Sequence, residues 1–240
     1  MLSLLNNRKQ RYDHVSPLVP QTGGVQFDLH TRSSMDRGQL EVYIAEQYLQ
    51  AYGASISSFM PLLLSMSYAE HTTAAVGLRS ASRGPLFLES YLDNPAEQEV
   101  ACLARQPVDR HRVVEIGNLV VTGRGGSQLL FVIMTAVLEA AGYHWFIFTA
   151  TPQVEKLVNR LNFNPYSLTY AEAQRVDGRL QDWGSYYTTQ PKVMAGDIRQ
   201  AMTIVRDNPR LLPVLRHYRG EIDCLAEHLC EHRRRQRFCA

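Results

Sequence analysis

At 240 residues, with 45% apolar and aromatic side chains, the chain is long enough to bury a full core without disulfide or metal staples. Twenty-five basic residues against 23 acidic ones leave a net charge of +2, a balance that argues against nucleic acid as the main partner. The cysteines Cys102, Cys224, Cys230 and Cys239 show no paired spacing, which argues against a disulfide framework and for reduced thiols in a soluble, cytoplasmic protein.

Residues 1–25 are polar and aperiodic, with Pro17, Pro20 and a Gly-Gly pair, and read as a loose leader without the apolar run of a secretory signal. After Ser33 and Ser34, the segment MDRGQLEVYIAEQYLQAYG places Leu40, Ile44, Tyr48 and Ala51 on one face of a helix that stops at Gly53. FMPLLLSMSYA and AAVGLRSAS, with EHTT between them, read as antiparallel strands, and Pro61 places the first at a sheet edge or a bulge. LFLESYLD and NPAEQEVACLARQ read as two short helices, the second capped by Asn94 with Pro95 as its first residue.

RVVEIGNLVV, residues 112–121, is rich in Val and Ile and predicts a strand; QLLFVIMTAVLEAAG predicts a helix ending at Gly142, and YHWFIFTAT another strand. The hydrophobic region 129–148 is interrupted by Glu139, Gly142 and His144, so it reads as a helix and a strand of a soluble core rather than a membrane span. PQVEKLVNRLNF continues as a helix, NPYSLTYAE and WGSYYTTQPKVMAG as aromatic-rich strands, and the last 45 residues as charged helix. The expected order is α β β α α β α β α β β: a leader over 1–25, a mixed α/β domain over 26–195 and a helical C-terminal extension over 196–240.

Between the strand 112–121 and the next helix lie Gly123, Arg124, Gly125, Gly126 and Ser127. Glycine lets a backbone approach an anion closely, and a helix start offers unpaired amides, so the turn suits a pyrophosphate or phosphopantetheine phosphate. A tight strand-to-helix connection explains the same residues equally well. The turn carries neither the Lys-Ser or Lys-Thr of a Walker loop nor the spacing of a dinucleotide fingerprint.

The strand, glycine turn, helix, strand ending in FTAT and helix closing in LNFNPY together resemble the core of the GCN5-related N-acetyltransferase superfamily. In that superfamily the loop reads Arg/Gln-x-x-Gly-x-Gly/Ala and grips an acyl-CoA pyrophosphate or the phosphopantetheine of an acyl carrier protein. Here Gly123 and Gly125 match, while Val120 stands where the Arg or Gln is expected. Leu161, Asn162 and Phe163 are a variant of the superfamily's Leu-Gly-Phe triplet, and Val158 replaces the tyrosine that often protonates the leaving thiolate.

Over about residues 25–195, FMPLLLSM, GLRSAS, LFLESYLD, VEIGNLVV, FTAT and WGSYY resemble the thermostable hemolysin family, a bacterial group named for a phenotype rather than a reaction. More distantly, Arg79 and Glu115 fall where acyl-homoserine-lactone synthases carry an arginine and a glutamate, and Asn118 where those enzymes have a second arginine. The resemblance implies a mostly antiparallel central sheet flanked by helices, and transfer of an acyl group from acyl-CoA or acyl carrier protein to a small, amino-acid-like amine. No permanently bound cofactor and no metal are expected.

Acyl transfer needs a base, donors for the oxyanion and alignment of both substrates. Glu115 is the expected general base and Asn118 a polar positioner, with Gly117 permitting a bulge that brings both to one face and parts this strand from the next. A buried salt bridge with Arg79 is the competing role for Glu115. Amides near Leu119 and Val121 would hold the thioester and its arm, and Thr149 and Thr151 would face the same slot, or be merely exposed polar residues at a strand end. Arg79 and Glu89 would meet the acceptor's carboxylate and amine, or form surface ion pairs instead. Phe131, Met134 and Phe146 would line an acyl tunnel, or be ordinary core.

HLCEH, residues 228–232, has the His-x-x-Glu-His spacing of some zinc peptidases, but too little chain follows to supply the remaining ligand, so a solvated helix is expected. The basic tail RRRQR could touch anionic lipid or an acidic carrier protein without spanning a membrane, or be simply solvated, as such runs more often are. Two alternatives stand beside the transferase reading: a membrane-active lytic protein and a catalytically idle acyl-thioester-binding module.

Overall fold

The computed structural model describes residues 24–122, 126–176 and 180–235, without the side chains of 180, 181 and 235. Seven strands form one sheet in the order β1-β2-β3-β4-β5-β7-β6: β1 (Val25–His30), β2 (Leu62–Tyr68), β3 (His71–Ser80), β4 (Val113–Val121), β5 (Trp145–Ala150), β6 (Tyr166–Tyr170) and β7 (Lys192–Asp197). Every neighbouring pair is antiparallel except β4 and β5. The helices are α1 (Arg37–Tyr52), α2 (Ala96–Ala104), α3 (Gly126–Ala140), α4 (Pro152–Arg160), α5 (Ile198–Asp207), α6 (Leu212–His217) and α7 (Arg219–Arg235). This is the mixed, mostly antiparallel sheet with flanking helices that the family resemblance implies. Among the described residues, no helix is long and apolar enough to cross a membrane.

Strand alternation sorts side chains onto two faces. On one face, Val76, Leu78, Val114, Ile116, Phe146 and Phe148 join the main core, which α3 to α7 complete. Ten consecutive residues of α3, Leu129–Leu138, are buried, as expected of a helix apolar on all sides. The other face carries Leu63, Ala75 and Val120 under α1, and Val113, Trp145, Ile147 and Val193 under α2.

Several elements differ from the sequence reading. The chain pairs from Val25, where VQFDLH alternates buried and exposed and forms edge strand β1. β2 is therefore an interior strand, and Pro61 stands just before it, where no ladder amide is needed. The hairpin between β2 and β3 turns on Ala69 and Glu70, both with positive φ (48 and 65), which suits the right-handed strand twist. LFLESYLD holds only a 3-10 turn over Phe87–Tyr91, and Pro95 is the cap of α2 rather than its first residue. In WGSYYTTQPKVMAG, Tyr186–Thr189 is a second 3-10 turn and only Lys192–Asp197 is strand.

The C-terminal helices are part of the core. Met202, Val205, Val214, Tyr218, Ile222, Leu225 and Leu229 pack into the same cluster as α3. Cys224 and His228 lie on the exposed side of α7, and among the described residues no three His, Cys, Asp or Glu side chains gather as a metal-ligand set.

Candidate active site

β4 and β5 are paired only from Val113↔Trp145 to Ile116↔Phe148. Beyond that point β4 continues to Val121 against β3 alone, and β5 continues to Ala150 against β7. The two strands thus part at Gly117, and their backbone groups face a gap rather than each other.

The cause is local. Ala75 pairs with Val120 and Gly77 with Gly117, so β4 carries one more residue than β3 across this stretch, a bulge centred on Asn118. Asn118 has a φ of 48, a left-handed conformation that asparagine tolerates better than most residues. A Cβ on Gly77 would meet Met60 Cβ at 2.6 Å and Asn118 Oδ1 at 2.9 Å, so the asparagine amide lies over the α1 face, shared with Arg79 and Glu115. Its oxygen accepts from Met60 N at 2.8 Å and its nitrogen donates to Ser58 O at 3.4 Å. Both polar groups are spent on the loop between α1 and β2.

Glu115 has no solvent exposure. Its two carboxylate oxygens accept backbone amides of the 3-10 turn, from Phe87 at 3.2 Å and Leu88 at 3.0 Å. Burial pushes its pKa up to about 7, against the opposing pull of Arg79 and of those two amides. Arg79 stands opposite Glu115 in the ladder and is half-buried; among the described residues it forms no ion pair within 4 Å.

Glu89 lies nearby in a fully committed position. It accepts from the amides of Leu86 at 2.7 Å and Ala96 at 2.8 Å, and from the Arg110 guanidinium at 2.6 and 3.0 Å. Burial would raise its pKa, but Arg110 and the two amides outweigh it and the net shift is downward. This carboxylate is a structural clasp between the 3-10 turn, α2 and Arg110, with no oxygen left for an acceptor amine.

On the far lip of the gap, Thr149 Oγ1 accepts from the Tyr186 hydroxyl at 3.0 Å. Thr151 caps α4 in extended conformation, its hydroxyl buried beside that of Tyr52 but short of a full hydrogen bond. On the near lip, the half-buried Tyr48 packs beside Val120 under α1, and burial raises its phenol above the ordinary range. Tyr52 stacks edge-on against Tyr186 at 5.2 Å, and the rings continue through Trp183, Phe87 and Tyr187 to Tyr91, whose hydroxyl lies 2.6 Å from that of Tyr187. These tyrosines sit apart in sequence, at 48–52, 91 and 186–187, and only their shared aromatic type hinted that they meet.

The remaining expected residues divide. Gly126 and Ser127 are the first two residues of α3, whose opening amides have no partner inside the helix. Gly123, Arg124 and Gly125 lie outside the described residues. Val121 is half-buried and packs against the main core, and Val120 is buried under α1, so neither side chain reaches a donor handle. Phe131, Met134 and Phe146 are all buried in the main core. Val158 is buried there too, facing the core rather than the gap. Asn162 explains its own departure from the superfamily triplet: its φ of 59 is the left-handed conformation glycine supplies there.

The fold is similar to that of solved acyl-homoserine-lactone synthases. The AHL synthase LasI superposes with a TM-score of 0.51 at 7% identity, covering 74% of this chain and 91% of its own. TofI, in a ternary complex with an inhibitor and MTA, gives 0.50 at 13% identity, covering 78% and 99%. FeeM, an N-acyl amino acid synthase from uncultured soil microbes, gives 0.49 at 10% identity, covering 76% and 95%. At these identities the likeness is one of fold. No curated protein matches the sequence significantly. The sequence model described as thermostable hemolysin matches residues 30–202, most of the chain including every strand lining the gap, and the chain belongs to that family.

Proposed function

We propose that the protein is an N-acyltransferase that moves an acyl group from the thioester of acyl-CoA or acyl carrier protein to the amine of a small, amino-acid-like acceptor. The observation that carries the proposal is the parting of β4 from β5 after Ile116 and Phe148. β4 runs from this gap to Val121, five residues before α3 begins, so a pantetheine arm lying in the gap could bring its phosphate toward the unpaired amides of Gly126 and Ser127.

In this reading the acceptor nitrogen attacks the thioester carbon, and a C–N bond forms as the C=O electron pair moves onto oxygen. Collapse breaks the C–S bond, and the departing thiolate leaves as thiol after taking up the proton that the amine gives up. Arg79, a half-buried guanidinium without an ion-pair partner among the described residues, would hold the acceptor carboxylate. Glu115, at a pKa of about 7, would draw the amine proton; because it is fully buried, the proton must travel through an intervening water or hydroxyl. Asn118 contributes by holding the Ser58 to Met60 loop rather than by touching substrate.

The test is to incubate purified protein with acyl-CoA or acylated carrier protein and a panel of amino acids and amines, following free thiol and amide by mass spectrometry. Thiol release matched by amide product supports the proposal. Absence of both with every donor, or leakage of dye from lipid vesicles in the absence of any donor, overturns it.

A further inference from the structure

Gly77 and Gly117 face each other across the β3–β4 ladder, where glycine is a poor strand former, and the side chain above them explains both. A Cβ on Gly77 would lie 2.6 Å from both Cβ and Cγ of Met60, and one on Gly117 would lie 2.5 Å from its Cε. Met60 therefore runs from β3 to β4 in the hollow that the two glycines leave. Its backbone is gripped from both sides: Asn118 Oδ1 accepts from its amide at 2.8 Å, and its carbonyl accepts from Arg37 Nη2 at 2.7 Å. Arg37, itself buried, also donates to the Pro61 carbonyl at 3.0 Å, which fixes the same bend of chain.

The Met60 side chain is half-buried, and its methyl end lies over Gly117, the first residue of β4 beyond the last β4–β5 pair at Ile116. Two residues along each strand, on the same face and roughly 7 Å away, stand Arg79 and Glu115. On the side away from Met60, Glu115 is closed off by the 3-10 turn Phe87–Tyr91, which packs on Val113 and Ile147. That turn is clamped, through its amides on Glu115 and through Glu89 on Arg110. Met60, on the other side, is an unbranched thioether with three rotatable bonds, able to shift while its backbone stays in place.

Resting on the acyltransferase reading, we propose that Met60 is the specificity-determining residue for the acceptor. An amino acid with its carboxylate on Arg79 and its amine turned toward the thioester packs its side chain against the Met60 thioether. The acceptors are then amino acids with apolar side chains, and the length of Met60 sets the largest one admitted. An apolar, adaptable wall discriminates by size rather than by charge, at roughly 10-fold or more per methylene. Gly117 is the second half of the device, because its missing Cβ is what lets the Met60 methyl lie flat on the sheet and clear of the acceptor.

The experiment measures kcat/KM for alanine, norvaline, norleucine and phenylalanine, with the donor that wild type uses, in wild type, Met60→Ala, Met60→Leu and Gly117→Ala. Met60→Ala should raise the norleucine-to-alanine ratio by roughly 10-fold or more, since it uncovers the hollow over both glycines. Gly117→Ala should lower that ratio by a similar factor, because the new methyl pushes the end of Met60 outward into the acceptor's space. Met60→Leu keeps the volume and should stay within about threefold of wild type. The double variant Met60→Ala with Gly117→Ala should fall between the two single variants. Thermal unfolding checks that each variant is folded, and if Met60→Ala is not, the Gly117→Ala ratio decides alone. Ratios within about threefold of wild type in both single variants overturn the assignment while the transferase reading stands. A loss equal for all four acceptors, or one confined to KM for the donor, overturns it as well. If wild type forms no amide with any donor, the reading and this inference fall together.

Discussion

Arg79 and Glu115 stand directly opposite one another across the β3–β4 ladder, yet the carboxylate is held by the Phe87 and Leu88 amides and the guanidinium forms no ion pair among the described residues. Their charges interact, since Arg79 pulls the Glu115 pKa down against burial, but the guanidinium keeps its forked donors for something else. Arg79→Ala should therefore raise KM for carboxylate-bearing acceptors by roughly 10- to 100-fold, the range for a hydrogen-bonded charge. Acceptors whose carboxylate is amidated should lose nothing further. Steady-state kinetics with a matched pair of acceptors checks this, and an equal loss for both acceptors counts against the carboxylate role.

Glu115 also sets a pH dependence of stability. Its folded pKa, about 7, lies above the ordinary 4.5, so the folded state binds more protons than the unfolded state between these values. Stability contributed by this group is thus complete below about pH 4.5 and falls as the pH rises through about 7. At 1.36 kcal/mol per unit the full swing is on the order of 3 kcal/mol. Glu89 has the opposite sign: its lowered pKa adds stability above the ordinary carboxylate range that is lost on acidification. Urea unfolding of wild type and Glu115→Gln from pH 5 to 8 should show a shallower decline in the variant. The variant should also be less stable at pH 5, because its amide NH2 faces one of two backbone donors.

Asn118 combines a left-handed backbone with two hydrogen bonds to the 58–60 loop, and two substitutions separate these roles. Asn118→Gly keeps the conformation and loses the bonds; Asn118→Ala loses both. Alanine should cost about 1 kcal/mol more than glycine, the penalty for a Cβ at positive φ. Guanidinium unfolding midpoints measure the difference. Equal midpoints would mean that the bulge relaxes once the loop contacts are gone.

The bulge and the gap were legible because Gly117 and Asn118 interrupt a run of β-branched residues, and such interruptions have few conformational readings. Glu115 was conspicuous for the converse reason, a carboxylate among valines. What stayed hidden depended on pairing over long separations. Nothing near Glu89 in sequence announces Arg110, and nothing at Phe87 or Leu88 shows that their amides close on Glu115. The ring of tyrosines is assembled from three distant segments, each of which looks locally like half of an amphipathic face. β1 escaped because its six alternating residues adjoin a polar stretch and gain stability only from the Leu62–Tyr68 strand beside them.

His30, Ser65 and Asp36 form a chain with the connectivity of a serine hydrolase triad, and the last prediction is that it is structural. His30 Nδ1 lies 3.0 Å from Asp36 Oδ1 and Nε2 lies 2.9 Å from Ser65 Oγ. The serine sits mid-strand at 4% exposure, whereas the aspartate is the exposed member, the reverse of what attack on a substrate requires. Its work is to tie the end of β1 to β2 and to the start of α1, where Asp36 gives up its capping bond to the first helical turn. His30→Ala leaves the buried Ser65 hydroxyl with only a 3.5 Å bond to the Asp28 carbonyl and opens a cavity, and should cost about 2–3 kcal/mol. Ser65→Ala should cost less, about 1 kcal/mol, because the imidazole keeps Asp36. Neither change should alter kcat for acyl transfer at a temperature where the variants remain folded, and a fluorophosphonate probe should leave Ser65 unmodified; labelling of Ser65 that disappears in His30→Ala would show a nucleophile instead.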